Sequence, residues 1–508
     1  MDSLFEIKLE RAAEGARESS QTLYRELKKA ILDGRLRAGT KLPATRRSDG
    51  IFGVSRNTAL EVYERLLSEG YAVSRRGSGT YVTDPVSKSI APKRARVSPS
   101  GKGLTPYRLN EFWLRPDVTA AMGFWRDDAE RDAARGSEAR QLSEPVARDS
   151  TLIDFRPALV DSRLFPFEIF RRVCGKQLRG LEKKPASYKS AQGNQGNYAL
   201  REAITKHIAL TRAVACQPEE IVVTSGAQQA FDLLARVLVT RGETVVAIED
   251  PGYPPMRVPF AGAGAKLVPV GVDAEGLIVE QLPDDTGVIC LCPSHQFPLG
   301  VTMSARRRRA LIEFARRRGA VIIEDDYDGE FRYDGSPLEA LRTADAADVV
   351  FYVGTFSKCM LPSLRLGFII APEWAMRTLI AAKNCLDWHC STPLQMGVAA
   401  FISEGHLARH VRKMRQIYRE RRQLLLARLQ EDFAEWLEPI PSFYGMHVAV
   451  AARGSLNLDP LAESLLTRNV KIHTFQQILS GAVDPIGAHL RSWRGGPRGA
   501  EAGPAVAA

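Results

Sequence analysis

The sequence predicts an α/β protein in two parts: a small N-terminal domain of helices with one hairpin, and a large domain in which helices cover a mostly parallel sheet. Three observations predict this division. The chain has 508 residues, more than one hydrophobic core usually supports. Amphipathic helical spacing dominates residues 20–83, whereas short apolar runs alternate with helical stretches from residue 151 onwards. Between them, residues 84–150 are rich in Pro, Ser and charged residues, which is typical of a linker.

The positive charge of the chain is gathered at one end. The net charge is +11, and residues 1–103 carry +8 of it, with 20 Lys or Arg against 12 Asp or Glu. A basic end of this kind is typical of a nucleic-acid-binding domain. The seven cysteines show no metal-ligand spacing, and no apolar stretch reaches the ~18 residues of a membrane span. We therefore expect a cytoplasmic protein with no metal site and no membrane span.

Two amphipathic helices are predicted in the N-terminal domain. The first covers residues 21–33, and Gly34 ends it. The second begins at Ser55, which is a suitable N-cap, and its first turn, Arg56-Asn57-Thr58, is polar and basic. A recognition helix has this arrangement, because its first turn meets bases and phosphates while its apolar stripe packs inward.

A hairpin is predicted after the second helix. Its strands are residues 71–73 and 80–82, and the turn between them carries two arginines and two glycines. Such a wing is suited to phosphate or minor-groove contact. The predicted DNA-binding residues are Arg46, Ser55, Arg56, Asn57, Thr58, Arg75, Arg76 and Gly77.

The order of these elements resembles the GntR family of winged-helix repressors. The resemblance is carried by residues 42–46, 53–58, 66–71 and 77–82, and it implies double-stranded DNA as a partner. Residues 47–52 depart from the family, which usually has a leucine and alanines in a short helix there. We expect Asp49 and Gly50 to weaken that helix, and Ser48 to remove an apolar core contact.

Six apolar strands are predicted in the large domain, each followed by a polar loop. They are residues 221–223, 244–248, 287–292, 320–324, 349–353 and 366–371. Their alternation with helical stretches predicts a mostly parallel sheet covered by helices. In such folds ligand groups gather on the loops at the strand ends.

Those loops carry residues suited to a phosphate-bearing pyridine. Lys358 can form a Schiff base with an aldehyde cofactor, and Asp325 can pair with the protonated ring nitrogen. Tyr253 can stack on the ring, and Tyr327 can hydrogen-bond its phenolic oxygen. A metal at Asp325 and Asp326 would lack partner ligands elsewhere in the sequence.

The phosphate of such a cofactor is expected at a helix N-terminus. Four residues, Ser225-Gly226-Ala227-Gln228, precede a helix, so their backbone N–H groups can hold a dianion. Ser357 can add a hydroxyl and Arg365 a bidentate cation. Together these residues predict bound pyridoxal 5′-phosphate.

The large-domain motifs resemble fold type I aminotransferases, and the whole array resembles the MocR/GabR-type regulators. These regulators join a GntR winged helix to an aminotransferase-like domain. The resemblance covers about residues 20–83 and 151–475, and residues 223–230, 249–254, 293–300 and 324–333 carry most of it. It implies the same cofactor roles for Lys358, Asp325, Tyr327, Tyr253, Ser357 and Arg365. Where aminotransferases place an asparagine this chain has Phe297, and Gln296 or His295 is expected to replace its contact with the phenolic oxygen.

The C-terminal end departs from the aminotransferase pattern. After Phe475 the sequence becomes rich in Gly, Ala and Arg, and no normal final strand and helix is predicted. We therefore assign residues 151–480 to the aminotransferase-like domain and residues 481–508 to an atypical tail. Either Arg491, Arg494 or Arg498 grips a substrate carboxylate, or carboxylate recognition is impaired.

The resemblance implies a transcriptional regulator that holds pyridoxal phosphate as an aldimine on Lys358 and senses the vitamer or an amino compound there. It also implies a head-to-tail homodimer that reads repeated half-sites. One alternative is a working aminotransferase with a vestigial winged helix, and another is an effector-independent DNA-binding repressor. The residues named above hold the cofactor, so they do not identify the amino compound that the protein senses. A run of arginines at residues 306–309 starts a helix and is predicted to form its solvated face, with help in holding DNA as the alternative.

Overall fold

The computed structural model describes residues 16–75, 77–83, 110–122, 124, 153–182, 193–333, 339–454, 456–475 and 502–507. The chain divides into two compact units, Met1–Arg108 and Leu109–Ala508. Most of the linker and tail assigned from the sequence, including the three tail arginines, lies outside the described residues.

In its described residues, the first unit contains three α-helices and one antiparallel hairpin. Its elements are α1 (Ala16–Leu32), α2 (Ser48–Phe52), α3 (Arg56–Ser68), β1 (Ala72–Arg75) and β2 (Gly79–Val82). Helices α1 and α3 pack through Leu27 and Leu66, which are fully buried. Helix α3 begins at its predicted place because the Ser55 hydroxyl accepts a hydrogen bond from the backbone N–H of Thr58 at 3.2 Å.

Helix α2 forms despite its unusual sequence. Ser48 is buried, and its hydroxyl donates to the carbonyl oxygen of Thr45 at 2.8 Å, so the polar group is satisfied. Phe52, at the other end of α2, fills the core of the unit. The short helix is therefore present, and Phe52 supplies an apolar contact that Ser48 lacks.

The second unit contains eleven α-helices in its described residues. They are α4 (Pro116–Met122), α5 (Phe167–Leu181), α6 (Tyr198–Arg212), α7 (Ala227–Leu238), α8 (Pro254–Ala263), α9 (Ala305–Arg318), α10 (Leu341–Ala344), α11 (Glu373–Asp387), α12 (Thr392–Ser403), α13 (His406–Asp432) and α14 (Leu458–Thr467). Throughout the described part of the chain, no helix combines the length and apolar character needed to cross a bilayer.

The strands of this unit form one large sheet and two small ones. They are β3 (Ile153–Asp154), β4 (Ile221–Thr224), β5 (Val245–Asp250), β6 (Lys266–Asp273), β7 (Gly276–Leu277), β8 (Thr286–Leu291), β9 (Val321–Asp326), β10 (Val350–Thr355), β11 (Gly367–Ile370), β12 (Leu437–Pro439), β13 (Ala449–Arg453), β14 (Val470–Lys471), β15 (His473–Thr474) and β16 (Ala502–Ala507). The large sheet has the order β4-β11-β10-β9-β8-β5-β6-β7. All six predicted strands lie in it, and β6 and β7 were not predicted.

The large sheet is mostly parallel and buried on both faces, as the sequence predicts. Strands β5, β6, β8, β9 and β10 run parallel, whereas β11 is antiparallel to both of its neighbours. The β10–β11 connection holds only a short 3₁₀ turn. It lacks the helical crossover that a parallel pair requires, so β11 runs antiparallel to β10. Along β10, Phe351 packs with Phe231 of α7 and Phe260 of α8, while Tyr352 packs with helices of the opposite face.

A short strand occurs in the tail, where none was predicted. Strand β16 lies between β13 and β15 in the small sheet and pairs antiparallel with both. Its residues have low β-propensity, so the sequence gives no strand signal. The pairing register shifts opposite Gly503 and Pro504, where proline can be accommodated. Tertiary pairing on both sides, rather than local preference, forms this strand.

The aromatic residues of the predicted linker dock on the large unit. Phe112 packs on α8 beside Gly262, where an added Cβ would lie 3.1 Å from its ring. Phe124 is 4% exposed and makes edge contacts with Tyr253 and Phe297, at centroid distances of 6.1 and 5.8 Å. Phe112 and Phe124 therefore dock on the large unit, whereas the charged stretch at residues 127–140 lies outside the described residues.

The arginine run at the start of α9 is only partly a solvated face. Arg307 is buried, pairs with Asp273 at 3.0 Å and donates to the carbonyl oxygen of Leu277. Arg308 is also buried and donates to the carbonyl oxygens of Met303 and Pro293. The predicted solvation is wrong for these two side chains, because each finds buried backbone acceptors that a helical pattern does not reveal.

The end of β9 buries two carboxylates on one face. Glu324 accepts hydrogen bonds from the backbone N–H groups of Leu341 and Arg342 at 3.0 and 3.1 Å. Asp326 pairs with Arg212 of α6 at 2.6 Å, and both side chains are almost fully buried. The strand end is therefore tied to two separate helices through charge-assisted contacts.

We predict that Arg212→Met destabilises the large unit by about 3–5 kcal/mol, because it leaves Asp326 buried without its counter-ion. Urea unfolding followed by tryptophan fluorescence measures the loss. The control is Arg236→Met, which removes an exposed pair with Asp232 and should cost less than about 1 kcal/mol. Equal losses for the two variants would contradict the assigned role of Arg212.

Candidate functional site

A cavity of about 600 Å³ lies at the ends of the central strands, within the size range of small-molecule sites. Most of its lining is apolar, with ionisable side chains converging from several loops. The lining residues are Met122, Arg156, Ala158, Leu159, Val160, Ala227, Gln228, Tyr253, Pro255, Phe297, Asp325, Tyr327, Thr355, Ser357, Lys358, Pro362, Ser363 and Arg365.

Lys358 follows β10 and presents its amine to this cavity. The Nζ atom donates to the carbonyl oxygen of Ala158 at 2.9 Å. Burial lowers the pKa of Lys358 to about 8, against the opposing effect of Asp328 and Asp325. A substantial share of the amine is therefore neutral, and so nucleophilic, near physiological pH.

Asp325 is the next-to-last residue of β9. Its side chain lies on the face opposite those of Glu324 and Asp326, because side chains alternate along a strand. Its Oδ2 atom accepts from the Cys292 thiol at 3.7 Å, while Oδ1 is buried and has no hydrogen-bond partner among the described residues. Burial, together with the charge of Asp326, raises the pKa of Asp325 to about 8. A buried acceptor without a donor is costly, and it fits a site that awaits an N–H group of a ligand.

Tyr327 is held by a buried histidine–aspartate pair. Its hydroxyl lies 3.0 Å from Nδ1 of His295, and the same nitrogen lies 2.9 Å from Oδ2 of Asp328. The His295 ring also packs on His447 at a centroid distance of 4.3 Å. Gly445 permits this arrangement, since an added Cβ would lie 1.9 Å from the His295 ring. The sequence names His295 as one of two candidates for contact with the phenolic oxygen of the cofactor, but it predicts neither its contact with Tyr327 nor those with Asp328 and His447.

The end of the cavity where phosphate is predicted lies at the start of α7. Gly226 precedes this helix with φ +80°, and its missing side chain leaves the helix N-terminus uncapped. Arg365 donates to the carbonyl oxygen of Ser225 at 3.1 Å, and a Cβ on Gly226 would come within 2.8 Å of the Arg365 guanidinium. The Ser357 hydroxyl lies 2.9 Å from that of Thr355. This end of the cavity therefore combines a helix N-terminus, a hydroxyl and a cation.

Eight of the eleven predicted cofactor residues line the cavity together. They are Ala227, Gln228, Tyr253, Asp325, Tyr327, Ser357, Lys358 and Arg365. Ser225 and Gly226 lie just behind the helix start and do not line it.

Gln296 has a different place from the one predicted. Its side chain is buried, donates to the carbonyl oxygens of Pro251 and Phe297, and accepts from the backbone N–H of Leu299. It therefore holds two loops together, and His295 rather than Gln296 reaches Tyr327. Sequence spacing does not distinguish these two neighbours, because only the turn of the loop decides which side chain reaches Tyr327.

In the first unit, the predicted DNA-binding residues are mostly exposed. Arg46, Ser55, Arg56, Asn57, Arg75 and Gly77 all face solvent. Thr58 differs, since it is buried and its hydroxyl lies 2.8 Å from that of Ser55. Thr58 therefore supports the start of α3, whereas the side chains of Arg56 and Asn57 are exposed to solvent. Arg76 lies outside the described residues.

The winged helix of the first unit and the strand-end lysine and aspartate of the second define a two-part class of protein, a DNA-binding module joined to an aminotransferase-like domain. Family models agree with this division: the gntR family of bacterial regulatory proteins matches residues 19–82, and aminotransferase class I and II matches residues 166–478. The chain belongs to the MocR-type family of GntR regulators, which carry both domains.

The relatives cover most of the chain. The probable rhizopine catabolism regulatory protein MocR of Rhizobium meliloti is 36% identical, over 82% of this chain and 78% of that protein. The HTH-type transcriptional regulator TauR of Rhodobacter capsulatus is 30% identical, over 91% of this chain and 90% of that protein. Among solved structures, Pyrococcus horikoshii kynurenine aminotransferase in complex with PMP is 26% identical, with a TM-score of 0.58, over 69% of this chain and 90% of that one.

We predict that Asp325→Asn removes a pH-dependent contribution to stability. Between the normal pKa of 3.8 and the folded value of about 8, the folded protein holds a proton that the unfolded chain has released. Stability from this group is thus lost as pH rises through that interval. The free energy of unfolding of wild type, minus that of Asp325→Asn, should therefore fall by more than about 1 kcal/mol between about pH 5 and pH 8.

Urea titrations of the cofactor-free protein at several pH values measure this difference. The matched control is Asp284→Asn, whose wild-type side chain is 78% exposed and pairs only at the surface. Its difference from wild type should stay flat over the same interval. A flat profile for Asp325→Asn as well would show that the carboxyl is not buried as described.

Proposed function

We propose that this regulator holds pyridoxal 5′-phosphate on Lys358 and senses the cofactor, or an amino compound that reaches it, by changing its affinity for DNA. The observation that carries the proposal is that Lys358 and Asp325 line the same cavity, and that Oδ1 of Asp325 has no hydrogen-bond partner among the described residues. We propose that the protein acts in the cytoplasm, where its DNA lies.

The residues of the cavity match the parts of this cofactor. Asp325 would accept from the pyridine N–H, and Tyr327, supported by His295, would hydrogen-bond the phenolic oxygen. The α7 N-terminus, Ser357 and Arg365 would hold the phosphate. Tyr253 would stack on the ring. When bound, the cofactor supplies an aldehyde that the Lys358 amine or a free amine can attack.

Regulation requires the ligand to favour one arrangement of the protein over another. A winged helix joined to a cofactor cavity fits such coupling, because the ligand acts at one unit and DNA binds the other. We further propose a head-to-tail homodimer on repeated half-sites, following the family resemblance. The rival function, a working aminotransferase, uses the same cavity and differs in releasing keto product steadily.

We predict that purified protein with added pyridoxal phosphate shows the visible absorption band of the lysine-linked cofactor, and that Lys358→Ala does not. An amine effector should shift the band and change the affinity for duplex DNA selected by the wild-type protein. The control is Lys206→Ala, which removes an exposed lysine paired with Glu202 and should keep the band.

The other outcomes separate the rival functions. Steady release of keto product from several amino donors would favour the aminotransferase. DNA binding that is retained in Lys358→Ala and is unchanged by any vitamer or amine would favour the effector-independent repressor. A wild-type protein without the band would overturn the proposed cofactor role.

We also predict that Arg56→Ala weakens binding to duplex DNA about tenfold and lowers the salt dependence of binding by about one phosphate contact. Arg56 is exposed in the first turn of α3, where a recognition helix meets DNA. Fluorescence anisotropy over a range of salt concentrations gives both quantities.

The control for this measurement lies on the same helix. Arg65→Ala removes a half-exposed side chain in the last turn of α3, where it pairs with Glu69. Its DNA affinity should stay close to that of wild type. Equal weakening in the two variants would indicate a general charge effect and contradict a specific role for the first turn.

A further inference from the structure

Three buried side chains with metal-binding groups form a cluster that touches Tyr327. His295 follows β8, Asp328 follows β9 and His447 precedes β13. The first two are 2% exposed and His447 is 3% exposed. One ligand atom from each of the three lies within 4.8 Å of those of the other two. The cofactor roles proposed above use only Nδ1 of His295 and leave the rest of the cluster without a function.

Hydrogen bonding decides which nitrogen of each ring carries a hydrogen. Nδ1 of His295 lies 2.9 Å from Oδ2 of Asp328, and a carboxylate oxygen only accepts, so Nδ1 is the protonated nitrogen. Nε2 of His447 lies 3.1 Å from the carbonyl oxygen of Pro298 and is protonated for the same reason. In a neutral imidazole the other nitrogen holds a lone pair. That nitrogen is Nε2 in His295 and Nδ1 in His447.

Both of these lone pairs are unused. Nε2 of His295 and Nδ1 of His447 are buried and have no hydrogen-bond partner among the described residues. The two rings pack on each other, with centroids 4.3 Å apart and planes tilted by 43°. A buried acceptor without a donor is costly, and two of them on adjacent rings suit one shared electron-pair acceptor.

The chain leaves space beside one of these nitrogens. Gly300 has φ +74°, and an added Cβ would lie 3.2 Å from Nε2 of His295 and 3.4 Å from the hydroxyl oxygen of Ser442. A methyl group would crowd this position. A metal ion needs less room, because it binds at about 2.1 Å from an imidazole nitrogen. The Ser442 hydroxyl borders the same space and supplies an oxygen donor.

Two imidazole nitrogens supported by a carboxylate are a typical donor set for a transition metal. Imidazole suits Zn²⁺ and the neighbouring divalent ions. Two nitrogens on one such ion lie up to about 4 Å apart, so small side-chain rotations within the cluster would close the site. Asp328, which also accepts from the backbone N–H of Met446 at 3.1 Å, would stay bonded to His295. Its carboxylate would orient that ring and offset part of the metal charge.

We propose that His295 and His447 bind one divalent ion of the zinc class, through Nε2 and Nδ1 respectively, while Asp328 orients His295. Water or the Ser442 hydroxyl would complete the coordination. The sequence gives no signal for this site, because its residues come from three separate loops and lack the spacing of a metal motif. The ion would fix the same ring that contacts Tyr327, so it would lie directly behind the predicted cofactor site.

The test uses the full-length protein without an affinity tag. After a chelator has removed bound metal, Zn²⁺ is titrated in competition with a chromophoric chelator, which gives the affinity and the stoichiometry. We expect one Zn²⁺ per chain. X-ray absorption at the zinc edge should show imidazole nitrogens at about 2.1 Å and no sulfur at about 2.3 Å. This second measurement separates the site from binding by any of the seven cysteines.

Two variants remove different parts of the site. His447→Gln removes a ligand and should weaken Zn²⁺ binding more than about a hundredfold, because loss of a supporting carboxylate alone costs about 10–100-fold. Asp328→Asn keeps the shape of its side chain but loses the charge, so its loss should fall within that smaller range. Circular dichroism of each metal-free variant shows whether it is folded.

The matched control is His207→Gln. His207 is also buried against a carboxylate, at 3.3 Å from Glu330, but it belongs to no candidate metal-binding group within the described residues. This variant should bind Zn²⁺ as wild type does.

The wild-type measurements alone can contradict the proposal, whatever the variants do. A wild-type protein that binds no Zn²⁺ would overturn it and favour a buried water between the two rings. Sulfur ligands in the zinc spectrum, or unchanged binding in a folded His447→Gln, would overturn it as well. None of these results depends on the lysine-linked absorption band. Failure of this site and failure of the proposed cofactor role are therefore distinguishable.

Discussion

The large unit depends on how three consecutive buried carboxylates at the end of β9 are compensated. Alternation along the strand sends Glu324 and Asp326 to one face and Asp325 to the other. On the first face, helix N–H groups satisfy Glu324, and Arg212 pairs with Asp326, so both charges have partners within the fold. On the second face Asp325 lines the cavity, and one of its oxygens has no hydrogen-bond partner in the described part of the chain. The same strand end thus provides both a structural anchor and part of the cavity wall.

Burial shifts the pKa values of two ionisable groups of the cavity in opposite directions. Burial raises the pKa of Asp325 to about 8 and lowers that of Lys358 to about 8, so each group departs from the charge it would carry in water. Such opposed shifts are typical of functional sites. A ligand that supplies an N–H to Asp325 relieves the cost of its burial, and the gain appears as binding free energy and as added stability.

The wall of the cavity also includes residues close in sequence to the DNA-binding unit. Met122 lines the cavity directly, and Phe124 packs behind Tyr253 and Phe297. Phe112 docks the same stretch on α8, the helix that Tyr253 precedes. The described part of the predicted linker, residues 110–122 and 124, is therefore packed into the large unit rather than a free spacer, and the volume of the cavity depends on how it packs.

The sequence alone determined the two-part plan, the six central strands and the chemical groups of the cavity. Those features follow from local signals: helical or strand spacing, caps such as Ser55, and ligand groups that parallel strands bring to one edge. Tertiary structure alone decided which of two neighbouring residues contacts Tyr327 and which arginines are buried. His295 reaches Tyr327 while Gln296 ties two loops, and Arg307 and Arg308 are buried by backbone acceptors distant in sequence. It also placed Ala158 beside Lys358, through a hydrogen bond between residues 200 positions apart. Such contacts join segments with no sequence relation, so no local pattern encodes them.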